Sequence, residues 1–266
     1  MNKSKDAWNA EIYSQFLDLR TRPAKDLLSV IPDSFQPERV YDLGCGPGNS
    51  TILLKNRWPH AHVIGLDSSS DMLNEAKKNY PDMEFIQDDI ANFSLSKKAD
   101  CLFANASLQW LDNHEILIPR LLKYLNKNGV LGIQMPNNFH SPSHQVTINL
   151  LQTYHPWRSY LKNLRYGILK EPLYKLTWYY DLLIQSGAHS LQIWETEYFQ
   201  EMNSYHAIFN WVKGTGLRPV LSEMDVKNQT QFSDAYVEAI SKEYSLQANN
   251  KILLPFKRIF MVCYKG

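Results

Sequence analysis

Three glycines in five residues, Gly44, Gly46 and Gly48 within Tyr41-Asp42-Leu43-Gly44-Cys45-Gly46-Pro47-Gly48-Asn49-Ser50, constrain this chain more than any other stretch. Ahead of them, residues 39–43 have the β-branched and aromatic character of a short buried strand. Behind them, Ser50-Thr51-Ile52-Leu53-Leu54-Lys55 reads as the opening of a helix, with Asn49 or Ser50 as its N-cap. A glycine-rich turn between a strand and a helix lets a ligand approach the backbone, because no Cβ stands in the way. The alternative is that the glycines serve the turn alone.

The next segment, Ala61-His62-Val63-Ile64-Gly65-Leu66-Asp67, is short, apolar and ends on an acid. An acid about twenty residues past such a loop suits hydrogen bonding to ribose hydroxyls in a doubly wound α/β fold. The loop spacing is Gly-x-Gly-x-Gly, where a pyrophosphate binder would use Gly-x-Gly-x-x-Gly. A nicotinamide dinucleotide is therefore not the expected ligand.

From Val40 to Gln134 apolar strand-like runs alternate with helical patterns, as a parallel sheet requires. Strands are expected at 39–43, 62–67, 83–87, 100–105 and 129–135, and helices at 50–57, 70–78 and 114–125. In such sheets ligands sit beyond the carboxyl ends of the strands. Asp42, Asp67, Asp89 and Asn105 all fall at those ends, although Asp67 could instead cap the helix that follows it. Before the first strand, Trp8, Tyr13, Phe16 and Leu17 predict one helix, and Pro23 opens a second that ends near Pro32. Beyond the parallel region, a strand is expected at 191–199, helices at 204–212 and 231–244, and a last strand at 257–264.

Composition excludes several classes. The chain has 266 residues, 44% of them hydrophobic, enough for a packed core. A net charge of +1 speaks against a nucleic-acid-binding surface or a membrane-binding polybasic patch. Three scattered cysteines form no disulfide framework or metal-ligand spacing, and the N-terminus shows no apolar signal region. A cytoplasmic protein without a metal is expected, and its oligomeric state is left open, a monomer being compatible with the sequence.

Asp42-Leu43-Gly44-Cys45-Gly46-Pro47-Gly48 resembles the first motif of the class I S-adenosylmethionine-dependent methyltransferases. Asp67 matches that family's ribose-binding acid, and Asp88-Asp89-Ile90 its motif after the third strand. The resemblance narrows to the branch that esterifies small polycarboxylates such as trans-aconitate. It does so on Arg20-Thr21-Arg22-Pro23-Ala24, on Phe103 to Leu111, on Gln134-Met135-Pro136-Asn137 and on Thr215-Gly216-Leu217-Arg218-Pro219. It runs from about Trp8 to the C-terminus.

The resemblance implies a Rossmann-like, mostly parallel seven-stranded sheet with an antiparallel last strand and a helical cap. The 266 residues would form one methyltransferase domain: a helical lid over 1–38, the cofactor core over 39–136, a helical insert or cap over 137–178, and the remaining strands with a substrate-side helical segment over 179–266. The cofactor would be S-adenosylmethionine, leaving as S-adenosylhomocysteine. Its expected contacts are Asp42, Gly44, Cys45, Gly46, Gly48, Asp67, Ser68, Asp89 (for the adenine amino group), Ile90, Asn105 and Ala106. The acceptor contacts expected are Arg20, Arg22, Gln109, Trp110, His206, Arg218 and Arg258.

Because the seventh strand of that family runs antiparallel, Lys257 and Arg258 should stand at the active-site rim with the other cations. Arginine's fork pairs bidentately with carboxylates, so a small polyanionic acid is the matching partner. A carboxylate is already ionised at neutral pH, and no general base is required. Trp110 reads equally as core or as cofactor wall, His114 as a surface residue, and the basic, aromatic stretch after Asn137 as a solvated cap face. Two other readings share these motifs: a methyltransferase acting on malonyl held by an acidic carrier protein, and a cofactor-binding module without turnover.

Overall fold

The computed structural model describes residues 21–165, 173–214 and 216–266, without the side chains of 162–165, 218 and 219. The expected helix at Trp8 to Leu17, together with Arg20, Lys170 and Thr215, lies outside the described residues.

Helix α1 covers 21–29, and β1 (Arg39–Leu43) follows. The parallel region then alternates α2 (Asn49–Arg57), β2 (His62–Asp67), α3 (Ser70–Asn79), β3 (Glu84–Gln87) and β4 (Ala99–Asn105). A 3-10 turn (Leu108–Trp110), α4 (His114–Lys123) and β5 (Leu125–Pro136) complete it. After β5 come α5 (Pro142–Thr153), a 3-10 helix (His155–Arg165), α6 (Leu176–Gln185), β6 (Ala188–Met202), α7 (Tyr205–Lys213), the short α8 (Arg218–Leu221), α9 (Val226–Ile240) and β7 (Ile252–Lys265).

The strands form one sheet in the order β3-β2-β1-β4-β5-β7-β6. All neighbours among the first five pair in parallel, while β7 runs antiparallel to both β5 and β6. Period-two alternation divides each strand between the faces. Val40, Phe103, Val130, Phe260 and Val262 pack under α1 and α2, against Leu27, Ile31, Leu54 and Trp58. Leu43, Leu66, Leu102, Ile133 and Met261 face α4 and α6, against Leu117, Ile118 and Leu121 of the first and Tyr179 and Leu183 of the second. Each fully buried side chain of this kind is worth roughly 1.5–3 kcal/mol, so the two faces supply most of what holds the sheet.

Strands β6 and β7 run well past the others, paired from Ala188 opposite Lys265 to Met202 opposite Ile252. Their far ends enter a second apolar core. There Met202, Ile252 and Leu254 meet Val146 and Leu151 of α5, Trp157, Ile208 and Phe209 of α7, Val220, and Phe232 and Tyr236 of α9. The helices after β5 and after β6 thus build one cap together, with Tyr154, His155 and Arg158 of the stretch after Asn137 exposed on its outside.

Several expected boundaries shift for local reasons. The N-cap of α2 is Gly48, at φ 91°, so Asn49 and Ser50 are already helical. Asp225 caps α9 by accepting from the Asn228 N–H at 2.7 Å, which starts that helix earlier than 231 and ends it at Ile240.

Candidate cofactor and acceptor site

The carboxyl ends of β1, β2 and β4 surround the glycine loop. Gly44 sits at φ 74°, and a Cβ there would lie 2.4 Å from Ser107 Cβ. A Cβ at Gly48 would lie 2.8 Å from Tyr80 Cδ2. Gly46, at φ 53°, would meet nothing within 4 Å. The outer glycines are therefore demanded by the protein's own packing, and the middle one borders open space. The N–H groups of Gly44 and Cys45 both donate to Leu66 O, at 2.7 and 3.0 Å, and Gly46 N–H donates to Asp67 Oδ2 at 2.8 Å. With these amides turned inward, this loop is not a pyrophosphate cradle, in keeping with its glycine spacing. The Cys45 thiol is buried, and burial pushes its pKa up, so it stays a neutral thiol.

Asp42 is wholly buried. Its Oδ2 accepts from Ser50 Oγ and Thr51 Oγ1, both at 2.7 Å, while Oδ1 has no partner among the described residues. Burial pushes its pKa up to about 6, against the lowering pull of the two hydroxyls. Asp67 is half-buried and spends one lone pair of each oxygen inside the protein, on Gly46 N–H and on Ser69 N–H at 2.9 Å. Further lone pairs stay available to a ribose diol. The cap of α3 is Ser69, whose hydroxyl accepts from Met72 N–H at 3.3 Å, so the capping alternative does not fall to Asp67. Ser68 beside it is exposed.

Asp89 is exposed and turned into its own loop, accepting from Ala91 N–H at 2.9 Å. Ile90 is buried, its Cδ1 packed close over Gly44. Arg120 of α4 ties this loop down by donating to Ile90 O and to Ala91 O, with its guanidinium 5.8 Å from the Phe93 ring centroid.

After β4 the chain turns at Ala106, a non-glycine residue at φ 52°, whose N–H donates to Gln134 O at 2.9 Å. Asn105 Oδ1, Ser107 Oγ, Gln109 Oε1 and both polar atoms of Gln134 are buried without partners among the described residues. Gln109 Nε2 donates to Ala106 O at 2.7 Å. Gln134 is 0% exposed and lies opposite Asn105 in the β4–β5 register. Buried polar atoms are normally paired, so this many orphans at neighbouring strand ends mark a place built for a hydrogen-bonding ligand. Trp110 stands 42% exposed on the 3-10 turn, outside the core.

The cations divide. The Arg22 guanidinium lies 5.0 Å from the Tyr198 ring centroid, and Arg22 Nε is 4.0 Å from Asp26 Oδ2, to which Tyr198 Oη donates at 2.5 Å. Arg258, opposite Pro136 and Thr196 in the sheet, lies 5.4 Å from the Phe256 ring centroid. The Tyr198 and Phe256 rings stack with centroids 5.4 Å apart, which places Arg22 and Arg258 in one neighbourhood. Lys257, one residue along an alternating strand, faces the other way and pairs with Glu195 at 3.8 Å; it does not join the rim set. His206 is exposed on α7, away from that helix's buried face. Arg218 opens α8, its side chain outside the described residues along with Arg20.

His114 corrects the surface expectation: it is buried, its Nδ1 2.7 Å from Tyr179 Oη and its Nε2 2.9 Å from Leu108 O. It joins α4, α6 and the turn that carries Gln109 and Trp110, and burial holds its pKa below the usual histidine value. Gln134, Arg120, His144, Thr147 and Tyr198 escaped assignment from sequence. One signal was present: Gln134 is a polar residue inside the apolar run Val130-Leu131-Gly132-Ile133-Gln134-Met135.

Comparison with known proteins agrees with this geometry. The family described as "Methyltransferase domain" matches residues 40–129. The trans-aconitate 2-methyltransferase of Klebsiella pneumoniae (strain 342) is 44% identical over 259 residues, covering 97% of this chain and 98% of the relative. That of Azoarcus sp. (strain BH72) is 42% identical, covering 97% and 99%. Among solved structures, the YcgJ protein of Bacillus subtilis superposes with a TM-score of 0.60 at 12% identity, covering 92% of this chain and 98% of that one. A Haemonchus contortus phosphoethanolamine N-methyltransferase, solved with S-adenosylhomocysteine, gives 0.56 at 13% identity, covering 92% and 53%. At such identities the structural likeness speaks for the fold.

Proposed function

The chain belongs to the trans-aconitate 2-methyltransferase family, and from that premise we propose that it esterifies one carboxylate of trans-aconitate at the strand ends of β1, β4 and β5. When bound, S-adenosylmethionine supplies a methyl group on a sulfonium, open to in-line attack by a carboxylate oxygen and leaving a neutral thioether. The chain's own residues do the rest by positioning. The open face of Gly46 leaves room against the loop, Asp67 offers its remaining lone pairs to the ribose, and the loop held by Arg120 presents Asp89 and Ile90 to the adenine. Asp42 Oδ1, a buried carboxylate oxygen without a partner among the described residues, suits the cationic end of the cofactor.

The acceptor oxygen is already anionic at neutral pH, so no side chain has to remove a proton. What the site must do is align that oxygen and strip its water while holding the other negative charges. Arg22 and Arg258 are the described cations placed to hold them, Arg258 at the end of β5 and Arg22 across the Tyr198–Phe256 stack from it. The cluster of buried, partnerless polar atoms at the ends of β4 and β5, with Arg258 two residues along β7 from Phe260, the partner of Gln134, is the observation that carries the reading. Among the described residues no helix is long and apolar enough to cross a membrane. The three free, buried thiols of Cys45, Cys101 and Cys263 fit a reducing, cytoplasmic setting.

The test is transfer of labelled methyl to a panel of small polycarboxylates, with malonyl-carrier protein alongside. Base-labile label on trans-aconitate, one per S-adenosylhomocysteine formed, is the expected result. Label on the carrier alone, or on nothing, would remove the acceptor assignment and leave the fold and cofactor loop standing.

A further inference from the structure

Helix α5 carries two polar side chains that the methyl-transfer reading leaves unused. His144 is 6% exposed: its Nδ1 lies 3.1 Å from Ser143 Oγ, and its Nε2 is buried without a partner among the described residues. Thr147, three residues on and so on the same helix face, is 0% exposed, and its Oγ1 also lacks a partner there. A helical threonine ordinarily bonds back to the carbonyl four residues earlier. Here that carbonyl, Ser143 O, accepts from Tyr236 Oη at 2.9 Å instead.

A buried hydroxyl and a buried imidazole nitrogen left unpaired cost stability that valine and leucine would not. The start of the helix is tied to β7: Ser141 N–H, at its cap, donates to Asn138 O at 2.9 Å. Two residues beyond β5, Asn138 Oδ1 accepts from Lys257 N–H at 2.7 Å, and the next residue of β7 is Arg258. Arg258 is close enough to act electrostatically on His144.

We propose that His144 and Thr147, together with Arg258, form the subsite for a carboxylate of the acceptor other than the one that is methylated. The inference rests on the esterification reading and deepens it. A carboxylate offers about four lone-pair positions. The Arg258 fork takes two of them, and the Nε2–H and Oγ1–H groups are neutral donors for the rest. The role puts the imidazole proton on Nε2, with Ser143 Oγ–H donating to Nδ1 across their 3.1 Å contact. Burial first, and the Arg258 charge second, push the His144 pKa down to about 4, so the ring is neutral at pH 7. The subsite therefore binds the anion with one full charge and two neutral donors, which avoids setting two like charges side by side.

The experiment is a set of three variants, His144→Leu, His144→Gln and Thr147→Val, each measured in three ways. S-adenosylhomocysteine affinity is taken by calorimetry, trans-aconitate binding to the S-adenosylhomocysteine-loaded protein likewise, and steady-state methyl transfer gives KM and kcat. Loss of one hydrogen bond to a charged group weakens binding about ten- to a hundredfold. His144→Leu should raise the dissociation constant and KM for trans-aconitate by about that much, with kcat changed far less and S-adenosylhomocysteine affinity unchanged. His144→Gln, which keeps an N–H donor near the Nε2 position, should recover most of the loss, and Thr147→Val should show a smaller rise of the same kind. Unchanged acceptor binding in His144→Leu and Thr147→Val would overturn the proposal while leaving esterification intact. Equal loss in His144→Leu and His144→Gln, together with weaker cofactor binding, would assign the ring a structural role and overturn it too. Wild-type protein that binds trans-aconitate through these residues without methylating it would keep the subsite and sink the esterification reading instead.

Discussion

Gly44 and Gly46 share a left-handed backbone but not a neighbourhood, and the difference predicts opposite phenotypes. At Gly44 an added Cβ collides with Ser107 Cβ at 2.4 Å, so Gly44→Ala should lower unfolding stability by about 2–5 kcal/mol. At Gly46 the new methyl meets only open space, and the penalty is the strained φ alone, about 1 kcal/mol. Gly46→Ala should nevertheless weaken S-adenosylhomocysteine binding, because the space it fills is the ligand's. Urea unfolding and a ligand titration on each variant check both halves. Asp42 makes a second prediction at this scale. Its folded pKa of about 6 lies above the ordinary aspartate value of 3.8, so the folded state binds that proton more tightly than the unfolded chain. The stabilising contribution is present below about pH 4 and is lost as pH rises through about 6. A cationic ligand favours the ionised form, so cofactor affinity should fall as pH drops below about 6, and Asp42→Asn should remove that pH dependence. A wild-type affinity that stays flat as pH falls through this range would contradict the role given to Asp42.

Elements differ in how openly the sequence displays them. The parallel strands β1 to β4 were readable within a residue or so, because β1, β2 and β4 are short, nearly continuous apolar runs buried on both faces. A helical cap was expected, but not that the helices after β6 join it, because Val146, Ile208, Val220 and Phe232 find one another across long sequence separations, and no local period reports it. Gly48 as a left-handed N-cap escaped a reading based on side-chain caps, and His114 escaped because its partners, Tyr179 and Leu108 O, belong to other elements. Of the site, the glycines and acids stood out by residue type, whereas Gln134 and Arg120 join the proposed site only through register and a long reach. Arg120 gives the prediction at this scale. Since it joins α4 to the loop bearing Asp89 and Ile90, Arg120→Met should weaken S-adenosylhomocysteine binding about three- to tenfold, the effect of one or two bonds that position rather than touch the ligand. The KM for the acceptor should stay near wild type. An acceptor-only defect would place Arg120 elsewhere in the mechanism.

At the scale of the whole molecule, the strand order leaves a crevice between β1 and β4, where successive crossovers depart in opposite directions, the usual ligand position in a doubly wound sheet. The antiparallel β7 then brings Arg258 to the same edge at which β5 ends, which no parallel strand in that position would do. A chain of net charge +1 thus offers a polyanion local cations rather than a general field. Arg258, half-buried among aromatics, should matter more than the exposed Arg22. Arg258→Ala should raise the acceptor KM at least about tenfold and Arg22→Ala less, with cofactor affinity kept in both. The most direct test of the central claim is a crystal structure of the protein with S-adenosylhomocysteine and trans-aconitate bound together. It should show one acceptor carboxylate facing the sulfur above Asn105 and Gln134, and Arg258 bonded to another. An acceptor bound away from the ends of β4 and β5, or one that leaves Arg258 untouched, would contradict it.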